Sequence, residues 1–87
     1  MAGHEKDAYV ALMAACDPQI RALLDQGFEF VTNAFKAGSA PPGLQGKTDR
    51  AHVQQLQQEG YQVEVTSAYD EQGHLRPTMS AIWRKRR

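Results

Sequence analysis

The fold depends most on residues 18–37, whose sequence is PQIRALLDQGFEFVTNAFKA. At 100° per residue its apolar side chains fall on one arc about 160° wide, the pattern of a helix that packs one face against a core. The residues on this arc are Ile20, Leu23, Leu24, Phe28, Phe30, Val31, Ala34 and Phe35. Asp17 is a good N-cap for such a helix, Pro18 suits its first position and Gly38 suits its exit. The pattern therefore predicts one long helix over residues 18–37.

A competing interpretation ends this helix at Gly27. Glycine in a helix interior costs about 1 kcal/mol relative to alanine, and the FEFVT segment that follows is rich in residues that favour strands. A strand over residues 28–35 would then replace the second half of the helix. We prefer the long helix, because eight apolar residues in phase outweigh a single glycine.

Further helical signals flank this stretch. The apolar residues that precede it recur at helical spacing, which predicts a first helix over about residues 5–15. Residues 38–47 are rich in glycine and proline and are expected to form a surface loop. A third helix is expected over about residues 48–59, with Thr48 or the following aspartate as its N-cap and Gly60 at its end.

The C-terminal residues predict a β-hairpin with strands over about residues 61–69 and 75–84. The sequence EQG between them suits a three-residue loop with glycine in the left-handed conformation, which pairs Asp70 with His74. The pairs expected on one apolar face are Tyr69–Leu75, Val65–Met79, Val63–Ala81 and Tyr61–Trp83. Pro77 lacks a backbone donor, so the second strand is expected to be a sheet edge at that point.

These elements predict a small α+β fold with a single domain over residues 1–87. The expected order is helix, helix, loop, helix and then an antiparallel β-hairpin packed on the long helix, with a basic tail over residues 84–87. A chain of 87 residues buries only about 60–65% of its unfolded surface, which leaves room for one modest core.

The charges are segregated along the chain. Ten basic and ten acidic side chains cancel formally, but the first 73 residues hold all ten acids and only five of the basic residues. The other five basic residues are Arg76, Arg84, Lys85, Arg86 and Arg87. A chain of this kind either attracts an anionic partner at its cationic end or pairs that end with its own acidic body.

The expected location is the cytoplasm. A single cysteine, Cys16, cannot form an internal disulfide, which favours a reducing compartment. The first residues show no basic leader followed by an apolar run, so no signal peptide is expected. No stretch approaches the length of a membrane span, and we expect no membrane partner.

Motifs for chemistry are weak in this sequence. Gly46-Lys47-Thr48 resembles the end of a phosphate-binding P-loop, but that loop needs a glycine where this chain has Pro41. The three histidines and Cys16 do not stand at the spacings typical of zinc sites. Cys16 shares its helical phase with apolar residues and has no evident base, so it is expected to be a small core residue. We therefore expect a protein that is not an enzyme and that needs no cofactor or metal.

The leading functional hypothesis is a small adaptor or inhibitor that occludes a surface of a macromolecular partner. The partner would be a protein or a protein–nucleic-acid complex. Chains of this size are common among accessory proteins of phages and mobile elements, including inhibitors of host defence. The residues expected to touch the partner are Arg76, Trp83, Arg84, Lys85 and Arg86, at the basic end of the hairpin.

The alternative hypothesis is a nucleic-acid-binding module. A short helix followed by Leu56-x3-Gly60-Tyr61-x-Val63 and a hairpin loosely resembles the recognition helix and wing of winged-helix DNA-binding proteins over about residues 48–84. The resemblance implies that the helix faces bases and that the basic tail faces phosphates. The residues in these roles would be Arg50, Gln54, Gln57, Arg84 and Arg87.

A homodimer is a further expectation from the apolar pattern. The stripe on the long helix exceeds what a two-stranded sheet obviously covers, so part of it would pack across a dimer unless all of it enters the monomer core. The edges of the hairpin could also pair with a second chain.

Overall fold

The computed structural model describes residues 2–87, with side chains from Lys6 onward. The helices and strands follow one another in the order α-α-β-α-β-β, with one short 3-10 helix before the third α-helix. The elements are α1 (Ala2–Cys16), α2 (Pro18–Asp25), β1 (Glu29–Phe35), the 3-10 helix (Gln45–Lys47), α3 (Asp49–Gln58), β2 (Tyr61–Tyr69) and β3 (Leu75–Arg86). The predicted α+β class is confirmed.

The long helix predicted over residues 18–37 is wrong beyond Asp25. Gly27 adopts φ +94°, and the amide of Phe28 donates to the carbonyl of Leu23 at 3.0 Å, which closes α2. The chain then extends into β1, as the competing interpretation proposed. Aromatic and β-branched residues favour a strand here because a neighbouring strand is available to pair with them. The predicted cap at the start is correct, since Asp17 accepts the amide of Gln19 at 2.9 Å.

The three strands form one antiparallel sheet in the order β1-β3-β2. β3 is therefore the central strand, with β1 and β2 as the two edges. The consecutive residues from Ser80 to Trp83 are all buried, because both faces of β3 are covered. β3 as a whole is central, but Pro77 itself has no partner on β1 or on β2, which agrees with the prediction that the strand is a sheet edge at that point.

The predicted turn of the hairpin is present, but its register changes along the strands. The amide of Asp70 donates to the carbonyl of His74 at 2.8 Å, and Tyr69 pairs with Leu75 as predicted. Ser67 pairs with Ser80 while the next residue of β2 pairs with Arg76, which leaves residues 77–79 of β3 without partners on β2.

These unpaired residues in β3 correct the other predicted pairs. The observed pairs are Val65–Ile82, Val63–Arg84 and Tyr61–Arg86, in place of partners three residues earlier on β3. A shift by an odd number moves every partner to the opposite face of the sheet. Tyr61 therefore lies on the other face from Trp83, and Ile82, which had no apolar partner in the predicted register, pairs with Val65.

The sheet lies between two helical layers, each with its own core. One face packs against α1 and α2, and the other face packs against α3. The first core contains Met13, Ala14, Ile20, Leu23, Phe28, Ala68, Ala81 and Trp83. The second is smaller and contains Ala34, Leu56 and Ile82. The hairpin is thus sandwiched between helices, and the prediction that it packs on one long helix is wrong.

Replacing Gly27 with alanine is expected to destabilise the protein by about 1–3 kcal/mol. The reason is conformational, because a side chain at φ +94° is strained even where space is available. Gly46→Ala is the matched control, since Gly46 has open space around it and no positive φ. Urea denaturation of both variants is the measurement. Equal stabilities for the two variants would contradict the left-handed exit from α2.

Candidate interaction surface

The last four residues of the chain form a cluster of cations that we call the basic end: Arg84, Lys85, Arg86 and Arg87. The first three belong to the end of β3, the central strand. Successive side chains of a strand point to opposite faces. Arg84 and Arg86 therefore lie on the face that carries α3, whereas Lys85 lies on the face that carries α2.

A tyrosine ring organises the two arginines on the α3 face. The guanidinium carbon of Arg84 lies 4.6 Å from the centroid of the Tyr61 ring, and that of Arg86 lies 5.8 Å from it. Both distances are within the range of cation–π attraction. Tyr61 is half-buried and begins β2 directly after α3, so its position is set by the helix and by the strand.

An ion pair holds Arg84 on its other side. Its Nε donates to Oε1 of Glu29 on β1 at 2.7 Å. This hydrogen bond raises the pKa of Arg84 above its ordinary value, and the negative charge of Glu59 adds to the effect. Arg84 is thus a permanent cation that joins β1 to the Tyr61 ring.

Lys85 is half-buried on the opposite face. Its Nζ lies 5.8 Å from the centroid of the Phe28 ring, and its stem passes close to Gly27. Long basic side chains often cover apolar surface in this way while the charged group stays in water. Arg86 and Arg87 are exposed, so they are the members of the basic end most open to a partner.

Trp83 is wrong as a predicted contact residue. Its side chain is fully buried, its Nε1 donates to Oγ1 of Thr66 at 2.8 Å, and its ring packs edge-on against Phe30. The predicted pairing had already placed Trp83 on the apolar face of the hairpin, and in the structure that face packs against α1 and α2. In this fold Trp83 is a core residue, and its side chain is not accessible to a partner.

Arg76 does not belong to the basic end. It lies at the start of β3, where it pairs with Ala68 close to the hairpin turn. Arg84 lies eight positions further along the strand, a span of about 25 Å. The structure therefore divides the predicted partner-binding set into the C-terminal cations, a buried tryptophan and a distant arginine.

The predicted nucleic-acid-binding residues are brought together in part. Arg50, Gln54 and Gln57 are all exposed on α3. Because α3 runs into β2 through Gly60, the C-terminal end of the helix meets the face on which Arg84 lies. Arg50 lies at the other end of α3, about 10 Å from Gln57 along the helix axis.

The N-terminus of α3 is already capped. Oγ1 of Thr48 accepts the amide of Ala51 at 3.2 Å. The carboxylate of Asp49 accepts the amides of Arg50 and Ala37 and the hydroxyl of Ser80. With a carboxylate in this position, the amides of the first turn of α3 are a poor site for an anion.

A polar network ties α1 to both edge strands at the end of the sheet away from the basic end. The hydroxyl of Tyr9 donates to the carbonyl of Tyr69 and accepts Nδ2 of Asn33. The hydroxyl of Tyr69 donates to Asp17 at 3.0 Å. Burial, followed by this contact with Asp17, raises the pKa of Tyr69. A tyrosine with a raised pKa stays protonated and can donate to Asp17, and the contacts of Tyr9 with Tyr69 and Asn33 hold α1 against both edge strands.

The other reactive side chains are dispersed. Cys16 is exposed at the end of α1, with its thiol 3.7 Å from the carbonyl of Gly73, so its prediction as a core residue is wrong. His52 is half-buried on α3, His74 is exposed beside the hairpin turn, and the side chain of His4 lies outside the described residues. Among the described residues, no three His, Cys, Asp or Glu side chains are grouped as metal ligands would be.

Comparisons with protein-family models, with curated protein sequences and with solved structures find no match to this chain. Over the residues that the structure describes, no helix is both long enough and apolar enough to cross a membrane.

Sequence reasoning missed Glu29 as a member of this surface. Glu29 and Arg84 are 55 positions apart in the chain, and they meet because β1 pairs with β3. The long-helix interpretation placed Glu29 on a solvated helix face. The only signal for the correct position was the alternation of Phe28, Glu29 and Phe30, which is that of a strand.

Proposed function

We propose that this protein is a small non-enzymatic interaction protein, an adaptor or inhibitor, that occludes an acidic surface of a macromolecular partner through its basic end. The observation that carries the proposal is the arrangement around Tyr61. Arg84 is locked against this ring and Glu29, while Arg86 and Arg87 project beyond them into solvent.

The contacts of Arg84 with Tyr61 and Glu29 favour binding because they order this side chain before a partner arrives. A side chain that is already ordered loses less conformational entropy when a partner binds, so more of the contact energy appears as affinity. Arginine and tyrosine are also the residue types that most often dominate interface energies. A guanidinium can donate two parallel hydrogen bonds to a carboxylate, which makes an acidic protein surface a suitable partner.

The non-enzymatic character of the proposal follows from the dispersed chemistry. The exposed thiol of Cys16 has a backbone carbonyl as its recorded hydrogen-bond partner, and an activated nucleophile needs a base within reach. A free, exposed cysteine is also suited to a reducing compartment, so we propose that the protein acts in the cytoplasm.

A pull-down from an extract of the native host tests the proposal. It compares the proteins that two immobilised forms of the chain retain. One form is the wild type and the other carries Arg86→Glu and Arg87→Glu. A partner retained by the wild type and lost by the variant supports the basic end as the contact surface. Equal retention by the two forms would exclude it.

Nucleic-acid binding is the second candidate function. The observation that favours it is that Tyr61, Arg84 and Arg86 share one face of the sheet with α3 and its exposed Gln54 and Gln57. Aromatic rings beside arginines are suited to single strands, whose bases stack and whose phosphates attract cations.

Replacing Glu29 with glutamine is expected to strengthen binding of labelled single-stranded DNA by about 2–5-fold at low salt. The change removes the acid that opposes Arg84, and the gain is modest because the pair is partly exposed. Fluorescence anisotropy is the measurement, with Glu71→Gln as the control because Glu71 is an exposed acid in the hairpin turn. Phosphate-driven binding must also fall steeply between about 50 and 200 mM salt. If single-stranded and duplex DNA and RNA all fail to bind the wild type at low salt, this second function is excluded.

A further inference from the structure

β2 is an edge strand that lacks the features by which edge strands usually avoid pairing with another chain. It is a continuous strand of 9 residues, YQVEVTSAY, with no proline and no lysine. The residues that disturb the hairpin register belong to β3, so β2 itself carries no bulge. Edge strands that stay unpaired usually carry such devices, because their free amides and carbonyls can pair with another chain.

β1, the other edge, is protected by comparison. Its register shifts between Phe30 and Thr32, which interrupts the strand with a bulge. Its last residue, Phe35, forms a parallel bridge with Thr48 ahead of α3. Of the two edges, β2 is therefore the more open to pairing, over residues 61–68, since the carbonyl of Tyr69 already accepts the hydroxyl of Tyr9.

The direction of the backbone groups of β2 can be worked out from the turn. The amide of Asp70 points to β3, since it donates to the carbonyl of His74. Alternation in an antiparallel ladder then directs Tyr69 outward, and its carbonyl accepts the hydroxyl of Tyr9 there. The same alternation directs the backbone of the other odd-numbered residues of β2 outward, with Val65 at the middle.

We propose that two copies of this chain pair antiparallel through β2, with the twofold axis at Val65, to form a six-stranded sheet. Val65 is 38% exposed and does not belong to either core. In this register it meets Val65 of the second copy, so each copy covers the exposed valine of the other. A twofold interface of this kind uses the same patch on both subunits.

Several antiparallel registers of two β2 strands are symmetric, and charge favours the one with its twofold axis at Val65. Glu64 is the only charged residue of β2. An axis at Glu64 would place two carboxylates directly opposite each other, which is destabilising. An axis at Val65 places Glu64 opposite Thr66 and pairs residues 62–68 of the two copies. It is thus the register with the longest overlap in which no like charges are directly opposed.

Sedimentation velocity of the full chain tests the proposal from micromolar to millimolar concentrations. The wild type is expected to dimerise, and Val65→Lys is expected to weaken the dimer by roughly tenfold or more because it opposes two cations at the axis. Leu75→Lys is the matched control. Among the side chains that the structure describes, Leu75 is the other large exposed apolar one, at 57% exposure. It lies outside β2, so this variant should dimerise like the wild type.

A second variant makes the test specific for the register. Glu64→Gln is expected to tighten the dimer by about 2–5-fold, since the two Glu64 side chains are diagonal neighbours across the axis. Circular dichroism of each variant checks that the monomer stays folded. A wild type that remains monomeric at millimolar concentration overturns the proposal. So does a Leu75→Lys variant that weakens the dimer as much as Val65→Lys, or a Glu64→Gln variant that weakens it.

Discussion

The double substitution Arg86→Glu and Arg87→Glu is expected to abolish partner capture, with a loss of affinity of about 100-fold or more. Both side chains are exposed, so the change leaves the core intact and reverses the charge that meets the partner. Placing like charges opposite each other at an interface costs several kcal/mol. The measurement is the dissociation constant of the recovered partner for the wild type and for the variant.

Lys36→Glu with Lys47→Glu is the matched control for this experiment. Both lysines are exposed, and the substitution changes the net charge by the same amount. Lys36 follows the end of β1 that lies away from Glu29 and the basic end. We expect the control to bind with nearly wild-type affinity. If both double variants lose the partner equally, net charge rather than the basic end determines binding.

Trp83→Ala is expected to reduce the free energy of unfolding by about 3–5 kcal/mol. Trp83 is the largest fully buried side chain of the protein as described, and its removal leaves a cavity between the sheet and the first two helices. A domain of this size has a total stability of about 4–13 kcal/mol. The substitution therefore removes a large share of the stability, and urea denaturation followed by circular dichroism at 25 °C is expected to show a much lower midpoint than for the wild type.

Two controls separate loss of volume from loss of the hydrogen bond. Trp83→Phe keeps most of the ring volume but loses the bond from Nε1 to Thr66, so we expect a smaller cost than for alanine. Leu75→Ala removes an exposed apolar residue, and its effect should stay within about 0.5 kcal/mol. A Trp83→Ala variant with nearly wild-type stability would contradict the burial of this side chain and return it to the candidate surface.

The basic end is the part of the surface that sequence reasoning located best. The run from Arg84 to Arg87 is evident in the sequence, and charged residues at a strand end are rarely buried. What the run does not reveal is which of its cations are free. That depends on Glu29 and Tyr61, which meet Arg84 only through strand pairing across long sequence distances.

The error in the hairpin register, which separates Tyr61 from Trp83, has a specific cause. The turn was predicted correctly, and a regular hairpin would then have placed Tyr61 and Trp83 on one face. Residues 77–79 stand unpaired with β2, and an odd shift exchanges the faces of the strand beyond them. Only the packing of both faces of β3 could reveal this shift, because a central strand lacks the alternation that marks a half-exposed one.

The sequence by itself determined the helix caps and the hairpin turn of this protein. The cap of α2 at Asp17, the cap of α3 at Thr48 and the left-handed Gly73 of the turn all lie where the residue types predict them. Each depends on hydrogen bonds or backbone angles within a few residues, so the chain itself specifies them. The tertiary structure alone decided the state of residues 28–35. Their apolar residues suit a helix or a strand. The strand is favoured because pairing with it satisfies the backbone amides and carbonyls on the second side of the buried strand β3.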